Sequence, residues 1–395
     1  MNQVLESATG FSRRLASIDA YIERECNASR VPGAAYLVWQ GGKIARQAAL
    51  GLQDPGSGRA MALDSIFRIY SMTKPVVSVA VMMLAEQGWL SLAEPISRYF
   101  PELSGLMVGV EEASPTGPQL RLEAARSEIT IHDLLRHTSG ITYSVFGESL
   151  VKAMYRSSPM EQKQHANQDM VAELAKLPLC CHPGAGWEYG RSTDVLGALA
   201  ERVSGEPLDV FLARRIFTPL GMRDTGFFVP SDKQHRLAQA STHDPASGER
   251  IRLVNVSRKP VWLAGGHGLV STLGDYLRFA RMLAEGGTLD GIRILGKATV
   301  AYMTSDHLDG LPVDRQHPSY LPGPGYGFGL GFAVRTELGN APMPGSVGDY
   351  GWSGMAGTYF WVDPARELVA IWMMQAPAMA EQARRRFRNM VYAAF

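Results

Sequence analysis

The chain has 395 residues, 46% of them hydrophobic and 19% charged, which is the balance of a globular protein with one large domain or two ordinary ones, not of a disordered chain. Its formal net charge is +1, so no field of one sign steers it to nucleic acid or to an anionic membrane. The three cysteines, Cys26, Cys180 and Cys181, are odd in number and two are adjacent, which excludes a disulfide framework and gives no zinc spacing.

The first residues, MNQVLESATGFSRRLASIDA, have no apolar core of signal-peptide length. The longest apolar run is about 11 residues, short of the roughly 20 needed to span a bilayer. The expectation is a reduced, cytoplasmic protein without a membrane partner. Phe11, Leu15, Ile18 and Ile22 recur at helical spacing and predict an amphipathic helix over 11–29. AAYLVWQ and KIARQAAL flank Gly41-Gly42, which reads as a β-hairpin because a tight turn needs positive φ. A buried helix follows over about 72–88 and stops at Gly88. Helical segments at 131–136, 168–177, 193–204 and 208–216 come next, separated by Pro- and Gly-rich loops. Near 265, GGHGLVSTLGDYLRFARMLAEGG reads as a glycine-rich loop feeding a capped helix. Three strand-like stretches, YGFGLGFAVR, GDYGWSGMAGTYFWVD and ELVAIWMMQ, precede a closing helix at about 379–393, with Arg384, Arg385 and Arg386 on its polar face. Strands at both ends and helices between them predict an α+β fold. An antiparallel sheet flanked by helices (about 1–70 plus 265–395) would carry a largely helical insertion (about 71–264), in one intertwined domain over 1–395.

The buried helix opens on an unusual pair. The chain has eight lysines. Lys74 stands at the head of the apolar run Pro75 to Ala85, three residues after Ser71. Residues i and i+3 share a helix face, so the hydroxyl and the amine can meet. Burial disfavours the charged form of a lysine, and a lysine tuned towards neutral can take the serine proton and make a nucleophile without histidine. The helix N-terminus offers free N–H groups for a developing oxyanion. The pattern also has a plain reading, an N-cap serine beside a snorkelling lysine. A second copy, Ser149-Leu-Val-Lys152, sits in the amphipathic stretch GESLVKAMYRSS, where a solvated Lys152 on a structural surface is expected.

S-x-x-K is the nucleophile motif of class A β-lactamases and penicillin-binding proteins. Six stretches here, FRIYSMTKP, IHDLLRHTSGITY, PGAGWEYGRSTDVLGALAERVSGEPL, PLGMRDTGF, GGHGLVST and YGWSGMAGTYFWVDP, resemble in content and order the relatives of class C β-lactamases, the family VIII carboxylesterases in particular. The resemblance implies the β-lactamase/transpeptidase fold and a serine hydrolase needing no metal or cofactor, acting on small-molecule esters with small acyl groups. It implies Ser71 as the acylated nucleophile, Lys74 as its base and Tyr189 as the catalytic tyrosine. Tyr143 is the rival tyrosine, and His137 belongs to a turn-forming HTSG. The backbone N–H groups of Ser71 and Met355 would form the oxyanion hole, with Trp352 and Gly354 on the strand lining the site. Phe146, Trp187, Trp262 and Arg191 are candidates for the substrate pocket, with plain core packing as the alternative for the aromatics. The loops 105–127 and 303–325 are expected to shape the entrance.

Two departures from the β-lactamase pattern bear on substrate. Arg191 stands where an asparagine follows the tyrosine by two, and Trp352 replaces the lysine of Lys-Thr-Gly. Both remove groups that hold the carboxylate of a β-lactam, and an ester needs no such anchor. Arg191 leaves a cationic substitute open, so a β-lactamase or D-amino-acid peptidase is a standing alternative, as is an acyltransferase on the same machinery. A non-catalytic binding protein is the alternative of another class, against which the retention of Ser71, Lys74 and Tyr189 together argues. The chain has no G-x-S-x-G, no H-E-x-x-H and no P-loop.

Overall fold

The strand-like segments at the two ends of the chain meet in one nine-stranded sheet, in a computed structural model that describes residues 3–6, 10–115, 117–161 and 165–395. From the N-terminal part come β1 (Gln3–Glu6), helices α1 (Gly10–Arg14) and α2 (Ala16–Asn27), and the hairpin β2 (Gly33–Gln40) and β3 (Lys43–Asp54). Gly41 and Gly42 turn that hairpin at φ of 57° and 83°, the positive values a two-residue turn requires. The long buried helix α3 (Thr73–Glu86) follows. The insertion contributes the hairpin β4 (Met107–Glu112) and β5 (Gln119–Ala124), then α4 (Ile131–Leu135), α5 (Leu150–Ser157), α6 (Asn167–Leu174) and α7 (Ser192–Ser204). To this sheet and its cover the last third supplies α8 (Leu273–Ala284), five strands and a closing helix, with shorter elements between them. These are β6 (Tyr326–Phe328), β7 (Ala333–Arg335), β8 (Tyr350–Gly354), β9 (Thr358–Asp363), β10 (Leu368–Met374) and α9 (Ala380–Tyr392).

In space the strands run β1, β3, β2, β10, β9, β8, β7, β6, with Arg59–Ala60 pairing beside β3, and every pairing is antiparallel. The join between the two ends of the chain is β2 against β10, with Leu37 opposite Ile371. Side chains alternate across these central strands. Tyr36 and Val38 with Ala370 and Trp372 face α2 and α9, where Ile18, Ile22, Phe387 and Val391 close one core. Leu37 with Val369 and Ile371 face the other way, into the larger core that holds α3. Both faces are covered, which is why β10 is apolar along its whole length.

Helix α3 is buried from Thr73 to Leu84, as expected of a helix apolar on every side. Pro75 is tolerated because it lies in the first turn, where backbone N–H groups have no partner within the helix. GDYGWSGMAGTYFWVD forms the two paired strands β8 and β9, and three other elements differ from expectation. The predicted helix over 11–29 breaks at Leu15, where the Ile18 N–H turns back three residues to the Leu15 carbonyl at 3.0 Å. YGFGLGFAVR is two short strands, closed by the Gly329 N–H donating to the Phe332 carbonyl at 2.8 Å. Within 105–127 lies the regular hairpin β4–β5, paired from Met107–Ala124 to Glu112–Gln119. Among the described residues no helix is long and apolar enough to cross a membrane, and no group of three or more histidine, cysteine and acidic side chains could hold a metal ion.

Candidate active site

Ser71 sits in the single 3-10 turn Tyr70–Met72 that leads into α3, and the N-cap position falls on Met72. The turn is tied down on each side. The Ile69 N–H donates to the Leu269 carbonyl (3.0 Å), and Thr73 Oγ1 accepts from the Leu269 N–H (3.1 Å). Tyr276 donates to the Met72 carbonyl (2.9 Å), and Thr358 Oγ1 to the Ile69 carbonyl (3.1 Å). Tyr70 is held at φ +44°, a left-handed conformation that costs a non-glycine residue about 1 kcal/mol or more, with its hydroxyl accepting from the Val254 N–H at 3.0 Å. The strained residue is thus the one just before Ser71. Strand β8 reaches the same turn. A Cβ on Gly354 would lie 2.3 Å from the Ile69 carbonyl oxygen, so only glycine lets Gly354 and Met355 come this close.

Lys74 is 1% exposed. Its Nζ reaches Gly266 O at 3.0 Å, Tyr143 Oη at 3.1 Å and Ser71 Oγ at 3.4 Å. Three acceptors match the three donors of an ammonium. Burial pulls the lysine pKa down, but the oxygens of Tyr143 and Tyr189 and the carboxylate of Asp194 more than offset this, so the group is held above its ordinary value. This corrects the expectation of a lysine lowered towards neutral: desolvation acts as argued, and the polar shell around Nζ outweighs it. Asp194 belongs to that shell through the backbone, since its Oδ1 accepts from the Gly266 N–H at 2.9 Å while the Gly266 carbonyl accepts from Lys74.

Both tyrosines flank the amine. Nζ lies 4.5 Å over the Tyr189 ring and 5.1 Å from the Tyr143 ring centre. The Tyr189 hydroxyl accepts from Trp352 Nε1 at 3.1 Å and also acts as a hydrogen-bond acceptor towards the lysine amine, and the Tyr143 hydroxyl faces the same amine. Burial raises the Tyr143 pKa, with Lys74 acting in the opposite sense. The rings are 5.5 Å apart because their loops pack backbone to backbone. A Cβ on Gly190 would lie 2.0 Å from the Ile141 carbonyl oxygen. Gly190→Ala should therefore cost about 3 kcal/mol, at the upper end for overpacking, as a fall in the urea midpoint, and should separate the two rings.

Two cavities open on Ser71, and Phe146, Tyr189 and Met355 line both. The first, about 460 Å³, is bounded by Trp352, Ser353, Gly354, the stretch Gln316–Pro324, and Arg384 and Arg385 of α9. The second, about 550 Å³, is bounded by Tyr143, Val145, Met160, Phe227, Val254 and Trp262, with Arg191 among them. Arg191 lies over the Trp262 and Tyr143 rings (5.3 and 5.5 Å) and 3.9 Å from Asp194.

Of the residues expected at the site, Ser71, Tyr189, Met355, Trp352, Gly354, Arg191, Phe146 and Trp262 border this space, and Lys74 lies buried behind Ser71. Trp187 does not. It is stacked behind Tyr189 at 5.8 Å and 13° and wedged against Tyr320 and Phe328, where its large ring fills space behind the tyrosine. His137 is enclosed by the rings of Tyr189, Trp187 and Phe328, and burial holds its pKa well below the ordinary value, in keeping with a structural part. Of the two expected entrance loops, 303–325 supplies the wall Gln316–Pro324, and 105–127 lines neither cavity. Lys152 is not solvated: it is 7% exposed and pairs with Glu188 at 3.1 Å. Arg384 and Arg385 escaped the sequence reading because three consecutive arginines on an amphipathic helix carry no sign of the cavity they face.

Residues 18–395 match the protein family described as Beta-lactamase. Protein Rv1367c of Mycobacterium tuberculosis is 36% identical over 364 residues, covering 90% of this chain and 88% of that one. Esterase EstB of Burkholderia gladioli is 32% identical over 383 residues, covering 90% of each. Among solved structures, one described as "EstCE1, a hydrolase with promiscuous acyltransferase activity" superposes with a TM-score of 0.80 at 25% identity, covering 96% of this chain and 99% of that one.

Proposed function

The chain belongs to the Beta-lactamase family, with that family's fold, as a serine hydrolase, and we propose that it is a carboxylesterase acting through an acyl-enzyme on Ser71. The observation that carries this reading is the meeting of Ser71, Lys74 and two tyrosines at the junction of two cavities. An ester has two halves that diverge from one carbonyl, and each cavity takes one of them.

Ser71 Oγ attacks the ester carbonyl while its proton passes into the Lys74–Tyr143–Tyr189 cluster in the form that has already lost one proton. The carbonyl oxygen becomes an oxyanion held by the Ser71 and Met355 N–H groups. Collapse of the tetrahedral adduct returns a proton from the cluster to the departing alcohol. Water then repeats the sequence on the acyl-serine and releases the acid. No metal or cofactor enters any step, and the partner required is a small-molecule ester. The second cavity, walled by Phe146, Phe227 and Trp262, suits short to medium acyl groups or an apolar alcohol, while Trp352 in place of a lysine removes a lactam anchor.

Two further readings have a specific observation behind them. The description of EstCE1 names acyltransferase activity beside hydrolysis, and on this chain an alcohol entering the vacated leaving-group cavity would compete with water for the acyl-serine. Arg384 and Arg385 line the same cavity as Trp352, and they supply positive charge for a β-lactam carboxylate. The test is turnover of p-nitrophenyl esters from acetate to octanoate beside a chromogenic cephalosporin, with and without added alcohol. The expected result is ester hydrolysis with cephalosporin turnover lower by at least about 100-fold, a difference of roughly 2.7 kcal/mol in transition-state binding. Comparable rates on both would put the lactamase reading first, and ester product diverted quantitatively to the added alcohol would put the transferase first.

A further inference from the structure

The second S-x-x-K copy does something the sequence did not suggest. Ser149 caps α5, its Oγ accepting from the Lys152 N–H at 3.0 Å. The Lys152 ammonium then points inward. It donates to the Phe146 carbonyl and pairs with Glu188 Oε1 at 3.1 Å, with the two side chains only 8% and 19% exposed. The same carboxylate oxygen accepts from Thr142 Oγ1 at 2.5 Å. Glu188 is also held through its backbone, the N–H donating to the His137 carbonyl at 2.9 Å. One turn further along α5, Arg156 donates to the Ser144 carbonyl at 3.1 Å.

These bonds tie Glu188, distant in sequence, to the two neighbouring segments 142–146 and 149–156. Thr142 and Phe146 bracket Tyr143, and Glu188 immediately precedes Tyr189. The two tyrosines beside Lys74 and the phenylalanine common to both cavities are therefore carried on loops whose ends converge on one buried ammonium. Lys152 and Glu188 line neither cavity at Ser71. They border a separate cavity of about 720 Å³ behind the site, with Cys180, Cys181 and His182.

We propose that Lys152 and Glu188 form a positioning pair that fixes Tyr143, Phe146 and Tyr189 around Ser71 and Lys74, acting on catalysis through the two loops and never touching substrate. This rests on the esterase reading for its effect on rate, and on geometry alone for its effect on the loops. A reactive arrangement is sensitive to displacements of an ångström or less, so loosening this node is expected to lower kcat more than it raises KM. Removing Lys152 alone strands a buried carboxylate and endangers folding, and so the neutral double variant Lys152→Met/Glu188→Gln is the primary one.

The experiment compares wild type, the double variant and Lys152→Arg by p-nitrophenyl butyrate kinetics, thermal melting and crystallography. The expected result is a folded double variant whose kcat falls about 10- to 100-fold with KM changed less than about threefold, and recovery of most of kcat in Lys152→Arg, which keeps the charge. A folded double variant with kcat within twofold of wild type overturns the proposal, as does a loss confined to KM. If wild type itself turns over no ester, the functional reading falls, and the crystal structure of the double variant still decides the pair. Displaced Tyr143 and Tyr189 rings sustain it, and unmoved rings overturn it.

Discussion

Ser71→Ala should abolish ester turnover, by at least about 10⁴-fold, and should end labelling by a fluorophosphonate probe, while leaving the melting temperature nearly unchanged. The last clause is what the geometry adds. A serine ahead of a helix is ordinarily suspected of capping it, and losing a cap costs about 1 kcal/mol. Here the N-cap is Met72, with no side-chain cap bond, and the turn is held by Leu269, Tyr276 and Thr358 instead. The Ser71 hydroxyl contacts Lys74 at 3.4 Å and contributes little to the fold. Ser149→Ala is the matched control, because the same motif is used there as a cap. It should lower stability by about 1 kcal/mol and leave probe labelling intact. Fluorophosphonate labelling that survives in Ser71→Ala would place the nucleophile elsewhere, and an unfolded Ser71→Ala protein would mean that the turn depends on the hydroxyl after all.

The contrast between the two S-x-x-K copies also explains what could be read in advance. The strands were visible because central strands covered on both faces must be apolar along their buried length, as β10 is and as β2 is up to Trp39. Helix α3 was visible because a helix buried on every side leaves no polar stripe. The Ser71–Lys74 pair stood out because a lysine heads that helix. The settings of Lys74 and Lys152 did not show, since each depends on groups far away in sequence. Gly266 and Tyr143 decide the first, and Glu188 the second. Burial was predicted for Lys74 and solvation for Lys152. In the fold both are buried, and each finds the partners its charge requires. The role of α9 was hidden for a similar reason: an amphipathic pattern shows which helix face is polar, but not that Arg384 and Arg385 look into a cavity.

The largest open choice is between the two tyrosines, and it has a measurable consequence. Tyr189→Phe and Tyr143→Phe each remove one hydroxyl from beside Lys74. Tyr143 accepts from the amine at 3.1 Å, whereas the Tyr189 hydroxyl, which also acts on the amine, accepts from Trp352 and lines the cavity shared by Ser71. If Tyr189 exchanges the proton with serine and leaving group, Tyr189→Phe should cost about 10²- to 10⁴-fold in kcat, the usual worth of a general acid–base group. Tyr143→Phe should cost less and act through Lys74. Its effect should show in the pH profile. With Lys74 held above its ordinary pKa and Tyr143 raised by burial, the resting site keeps its protons at neutral pH. Serine attack needs one of them gone, so kcat/KM for a slow ester should climb with pH by about tenfold per unit into the alkaline range. The sign follows from the direction of the shifts: a raised lysine becomes a base only as pH rises. Without the Tyr143 oxygen, one of the groups holding the lysine up is lost, burial gains ground, and the climb should begin at lower pH. A pH profile unchanged in Tyr143→Phe, together with full loss of kcat there and not in Tyr189→Phe, would exchange the two roles and make Tyr143 the proton carrier.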